Sequence, residues 1–134
     1  MTAFSQGNAV TFSLSACGDA NSWIYHFVKH AGGTDNFNIA TGASGPAPIG
    51  ILYDDPASGD VGLIIASGRV KVYADATAGA IAIGDWLTAG SNGQAIVAAS
   101  NGFGQSLKAV SSGASVLIDM IWQPTTPIYT DNTP

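Results

Sequence analysis

The sequence predicts an all-β protein, a small β-barrel with extended N- and C-terminal arms, and three observations carry that expectation. Short apolar segments recur between Ile49 and Trp122, each closed by glycine, aspartate or asparagine, the spacing expected of short strands joined by turns. Nine aspartates stand against no glutamate, and aspartate favours turns and caps where glutamate favours helix interiors. Three prolines lie between Gln123 and Pro134; lacking N–H groups, they preclude regular helix and disfavour central strands.

The elements follow in chain order. Residues 1–22 are small and polar with spaced apolar positions at Phe4, Val10, Phe12 and Leu14, and the alternation of Val10, Phe12 and Leu14 with Thr11 and Ser13 predicts one strand after a loose arm. Ser22 to His30 sets Trp23, Tyr25 and Phe27 on one face and Ile24, His26, Val28 and His30 on the other, an inner strand buried on both sides. Residues 31–48 read as a long loop around an extended piece, Phe37 to Ala40.

From Ile49 the strands come quickly: Ile49 to Tyr53, a polar turn over Asp54 to Asp60, then Val61 to Ala66 and Arg69 to Ala74 joined tightly at Ser67-Gly68. Ala78 to Gly84 leads into Asp85-Trp86-Leu87-Thr88, and Asn92-Gly93 predicts a hairpin returning through Ala95 to Ala99, because both turn residues tolerate positive φ. Asn101-Gly102 makes a further turn, Ser106 to Val110 a short strand or helical turn, and Ser115 to Trp122 the final long strand. These divisions give an N-terminal arm and first strand over residues 1–22, a β domain over 23–123, and an extended tail over 124–134. Ile128 and Tyr129 in that tail suit a segment laid along a neighbour, since a purely solvated one has little use for them.

Composition narrows the function. Hydrophobic residues make up 46% and charged residues 10%, against roughly 25% charged in an average soluble protein. A surface so poor in lysine suits a protein pressed against partners. The net charge of −5, with Lys29, Arg69, Lys71 and Lys108 the only basic residues, argues against a nucleic-acid backbone, which requires a basic stripe. No basic segment followed by an apolar run opens the chain and no stretch is long and apolar enough for a span, so neither a signal peptide nor membrane attachment is expected. Cys17 is alone and has no internal disulfide partner.

No constellation reads as catalytic. His26 and His30 would share a face of a helix, but the local period is close to two and no cysteine or carboxylate set completes a metal site. Asp54, Asp55 and Asp85 stand beside proline or glycine where aspartate closes turns. No Gly-x-Ser-x-Gly elbow occurs, Gly102-Phe103-Gly104 lacks the third glycine of a nucleotide loop, and Cys17 with His26 has only chain distance in its favour. Catalytic residues, metal ligands and cofactors are therefore expected to be none.

In succession, Pro48-Ile49-Gly50-Ile51, Asp55-Pro56-Ala57-Ser58-Gly59, Ala66-Ser67-Gly68-Arg69-Val70-Lys71-Val72, Ile83-Gly84-Asp85-Trp86-Leu87-Thr88, Asn92-Gly93-Gln94-Ala95, Phe103-Gly104-Gln105-Ser106-Leu107 and Val116 to Ile121 resemble the capsid decoration, or cement, proteins of tailed bacteriophages. The resemblance runs over residues 48–123. It implies a β-tulip-like domain on the outside of the assembled head that locks neighbouring major capsid proteins together, commonly as a homotrimer, with terminal arms for attachment. On that basis the candidate capsid or oligomer contacts are Phe4, Val10, Phe12, Ile128 and Tyr129, and the location is the outer surface of the virion after synthesis in the host cytoplasm. The first third and the Pro-Thr tail depart from the pattern. A second reading is another virion surface module, such as a fibre, tail or host-receptor or glycan-binding domain. A third is an enzyme or carrier on a small barrel, though none of Lys29, Lys71 and Lys108 lies at a hairpin tip where a carrier lysine would stand.

Overall fold

The computed structural model describes residues 11–16, 23–31, 36–39, 47–99 and 102–123, with side chains from Trp23 onward. Ten strands and no helix occur among them: β1 (Thr11–Ala16), β2 (Phe27–His30), β3 (Asn36–Ile39), β4 (Gly50–Leu52), β5 (Val61–Ile65), β6 (Gly68–Asp75), β7 (Trp86–Ala89), β8 (Ala95–Val97), β9 (Gly104–Ser106) and β10 (Ser115–Trp122). They form two five-stranded rings in tandem, the first in the order β1-β3-β2-β4-β5 and the second in the order β10-β6-β8-β7-β9. Each ring contains one parallel contact, β1 with β3 and β6 with β8, and every other pair is antiparallel. Ring two is anchored by the eight-pair ladder from Ser115–Asp75 to Trp122–Gly68. It closes through a single register pair, Ala74–Ala95.

Period-two alternation explains how the rings pack. Neighbouring residues on a strand face opposite sides, so Val28, Leu52 and Ile64 fill the inside of ring one with Phe37. Phe27, Ile51 and Ile65, one position away on the same strands, join the core of ring two with Val70, Val72, Leu87, Ile118, Met120 and Trp122. The continuous apolar runs in β2, β4 and β5 follow from this: both faces are buried, one in each core. Phe27 is fully buried with its ring 6.1 Å from that of Trp122, and such a side chain contributes about 1.5–3 kcal/mol.

Two expected elements differ in the structure. The strand read over Ser22 to His30 is confined to Phe27–His30, because Tyr25 takes φ 64° and the chain turns between Trp23 and His26, whose N–H donates to the Trp23 carbonyl at 2.9 Å. The strand or turn read over Ser106 to Val110 lies earlier, at Gly104–Ser106. Ser106 Oγ accepts the Lys108 N–H at 3.1 Å and donates to the Lys108 carbonyl, which bends the chain before Val110 meets Ile81 in an isolated bridge. The expected tight join at Ser67-Gly68 is present, with Gly68 at φ 75°, but β5 and β6 diverge from it into different rings.

Candidate functional site

Beside the packing of Phe27, Ile51 and Ile65 into the core of ring two, the joint between the rings is hydrogen-bonded at two points. At the first, the β7–β8 turn reaches ring one: the Gly93 carbonyl accepts the Phe27 N–H at 2.8 Å, and a Cβ placed on Gly93 would lie 2.6 Å from Ile39 Cγ1. Gly93 has φ 81°, so glycine serves both the turn and the close approach. At the second, Tyr25 donates its N–H to the Leu52 carbonyl at 2.6 Å and accepts the Tyr73 N–H at 2.9 Å. A left-handed tyrosine is disfavoured on its own, and bonds to both rings hold it there. Its ring lies edge-on to Tyr53 at 5.1 Å and 6.1 Å from Tyr73, while the His26 ring lies 5.6 Å from Tyr73. The Tyr53 hydroxyl accepts the Lys71 N–H, and desolvation raises the Tyr53 pKa above its ordinary value.

The outward faces carry few charges and several apolar side chains. Val61 and Leu63 project from β5 and Leu117 and Ile121 from β10, Ile83 is exposed in the segment before β7, and Val97 is exposed at the end of β8; Ile83 is 69% exposed and Val61 61%. On the β6–β10 face Asp119 binds Arg69 at 2.6 Å and Lys71 at 3.0 Å, engaging two of the four basic residues. Hydrogen bonds from Arg69 and Lys71 hold the Asp119 carboxyl below the usual carboxylate range. These faces are suited to adhesion by burial of apolar area.

The candidates weighed in the sequence fall as follows. Phe12 lies on β1 in register with Ile64, and Phe4, Val10, Ile128, Tyr129 and Cys17 lie outside the described residues. His26 is buried, with Nδ1 2.9 Å from the Ile24 carbonyl, whereas His30 is exposed at the end of β2. No group of three metal-ligating side chains occurs among the described residues. The aspartates close turns: Asp54 Oδ1 accepts the Asp55 N–H at 2.8 Å, Asp75 Oδ1 the Thr77 N–H at 3.0 Å, and Asp85 Oδ2 the Ala82 N–H at 2.9 Å. Gly102 and Gly104 serve packing: a Cβ on Gly104 would meet Met120 Sδ at 2.5 Å, and one on Gly102 would meet Trp86 Cβ at 2.9 Å. Sequence reasoning missed the tyrosine cluster of the joint, whose members lie far apart in the chain.

The sequence matches no protein-family profile and no curated protein. In architecture the chain is a tandem of five-stranded β-rings. Among solved structures it is similar to the crystal structure of the N base of head fiber gp8.5 in bacteriophage phi29, with a TM-score of 0.61 and 20% identity over 87% of this chain and 95% of that one. At that identity the likeness is one of fold.

Proposed function

We propose that this chain is a structural protein of a bacteriophage virion, seated on the outer surface of the head, and that its two-ring body serves as a base of the head-fibre kind. The observation that carries the reading is the similarity of fold, which extends over 95% of the phi29 head fiber base. The sparsely charged surface and the exposed apolar side chains on β5 and β10 support it. The fibre-base reading takes precedence over cement, because a solved structure of similar fold is a fibre base. Both readings have the major capsid protein as partner, and in both the N-terminal arm and first strand over residues 1–22 and the tail over 124–134 supply attachment or homotrimer contacts through Phe4, Val10, Phe12, Ile128 and Tyr129. Repeated copies on a symmetric shell would gain from avidity even if each contact were modest.

Mixing the purified protein with undecorated heads tests the proposal. Saturable binding that leaves the thermal stability of the heads unchanged is the outcome expected of a fibre base, and binding with a raised melting temperature would return the cement reading to first place. Absence of binding would remove both.

A further inference from the structure

Ring two is held along its β6–β8 seam by one register pair. The parallel ladder between β6 and β8 holds only the pair Ala74–Ala95, after which the strands part. The opposite side of β8 is bonded to β7, and the Gly90 N–H to Gln94 carbonyl bond at 2.7 Å and the Ala98 N–H to Trp86 carbonyl bond at 2.8 Å set its phase. In an antiparallel ladder bonded residues alternate with residues whose backbone groups point away. Residues 94, 96 and 98 therefore face β7, and Ala95 and Val97 face β6. Ala95 finds Ala74 there, but Val97 lies beyond the ladder and presents its N–H and carbonyl to the gap.

The gap is a cleft of about 340 Å³ lined by Asp75, Ala78, Gly79, Ala80, Asp85, Ile96 and Val97. Ala78, Gly79 and Ala80 make a small-residue wall facing Ile96 and Val97 of β8, and the charged members of the cleft are two carboxylates. An unpaired strand edge beside a cleft is the element that captures an extended chain, with main-chain bonds giving affinity and pockets for alternate side chains giving choice.

We propose that this seam takes up an extended segment of a partner protein by strand addition, with the segment pairing to Val97 and setting a lysine or arginine against Asp75 and Asp85. Charge complementarity selects that partner: the cleft is acidic, as is the chain as a whole at −5. Asp75 and Asp85 accept backbone N–H groups of their own turns, and the Thr77 bonds hold Asp75 ionised further into acid than an ordinary carboxyl. The small side chains at residues 78–80 leave room for the incoming backbone. The proposal goes beyond the head-surface reading and does not rest on it.

The test uses the full chain, isotope-labelled, and a capped pentapeptide of threonine, valine, lysine, valine and threonine. Amide shifts should concentrate at Asp75, Asp85 and Ala95 to Val97 at millimolar peptide. Versions of the peptide N-methylated at alternate amides, in both registers, and a version with glutamate in place of lysine, should each bind at least tenfold more weakly. Asp75→Asn and Asp85→Asn keep an oxygen acceptor for the turn N–H groups while removing charge, and should weaken the peptide about tenfold with melting temperatures preserved. Val97→Pro removes the N–H that faces the seam and leaves the bonds of residues 96 and 98 to β7 in place. Its expected effect is the same loss. No shifts at millimolar peptide, shifts mapping elsewhere, or equal binding of all the N-methylated peptides would overturn the proposal. So would self-association abolished by Val97→Pro without any response to peptide, which would assign the seam to a second copy.

Discussion

Gly93→Ala is expected to loosen the joint between the rings by more than its backbone conformation alone explains. Gly93 has φ 81°, and an L residue in the left-handed region costs about 1–2 kcal/mol. The new methyl would also lie 2.6 Å from Ile39 Cγ1, 2.9 Å from Ile39 Cδ1 and 3.1 Å from the Phe27 carbonyl oxygen. Forcing a methyl into such a packed site costs a further ~1–3 kcal/mol, for a total of about 2–5 kcal/mol. Gly84 supplies the control, since it has φ 91° but nothing within 4 Å of where its methyl would stand; Gly84→Ala should therefore cost only about 1–2 kcal/mol. Urea unfolding and thermal melts of the two variants measure the difference, which at roughly 3–5 °C per kcal/mol is well resolved. In a double-mutant cycle, Ile39→Ala should recover a large part of the excess in Gly93→Ala and none in Gly84→Ala. Equal destabilisation of the two glycine variants, or no coupling to Ile39, would refute the claim that the turn is packed against ring one.

Three further outcomes are expected. Phe27→Ala, which empties a position between both cores, should cost about 3–5 kcal/mol in denaturant unfolding, against about 0.5–1.5 kcal/mol for Ile51→Val. Tyr53→Phe removes the acceptor of the exposed Lys71 N–H and should cost about 0.5–1.5 kcal/mol. Because the folded Tyr53 pKa is raised, its contribution is complete below the unfolded value near 10 and is lost as pH rises through the folded value, so alkaline unfolding curves should be less steep in that variant. The Asp119 pKa is lowered, so its contribution is present above the unfolded value near 3.9 and is lost as pH falls through the folded value. Asp119→Asn should flatten that acid limb, and added salt should shrink the difference from the parent chain.

Local chemistry made most of the strands legible. Ser115–Trp122 was readable to the residue because its apolar run from Val116 to Trp122 is broken only by Asp119 and ends before Gln123-Pro124, and Asn92-Gly93 announced its hairpin through the φ values it tolerates. The aspartate turns were legible from local sequence too, since the backbone N–H donors lie within three residues of each accepting carboxylate. Tyr25 was not: its aromatic alternation with Trp23 and Phe27 imitates a strand, and only bonds to Leu52 and Tyr73 hold it out of one. The division into two rings was also hidden. Ser67-Gly68 reads as a hairpin turn, and nothing local distinguishes strands that pair across it from strands that part. Of the candidate surfaces, the sparse charge was visible in composition, whereas the cleft beside Val97 depends on where a ladder stops.

Each ring is drawn from a contiguous stretch of chain, β1 to β5 and then β6 to β10. During synthesis every strand of the first ring leaves the ribosome before any strand of the second has followed it. That ring can close early, yet Phe27, Ile51 and Ile65 then point outward with no cover, for their neighbours Val70, Leu87 and Trp122 are still to come. The nascent first half is thus a template with a sticky side, and arrival of the second half both completes the fold and conceals the surface most prone to clumping.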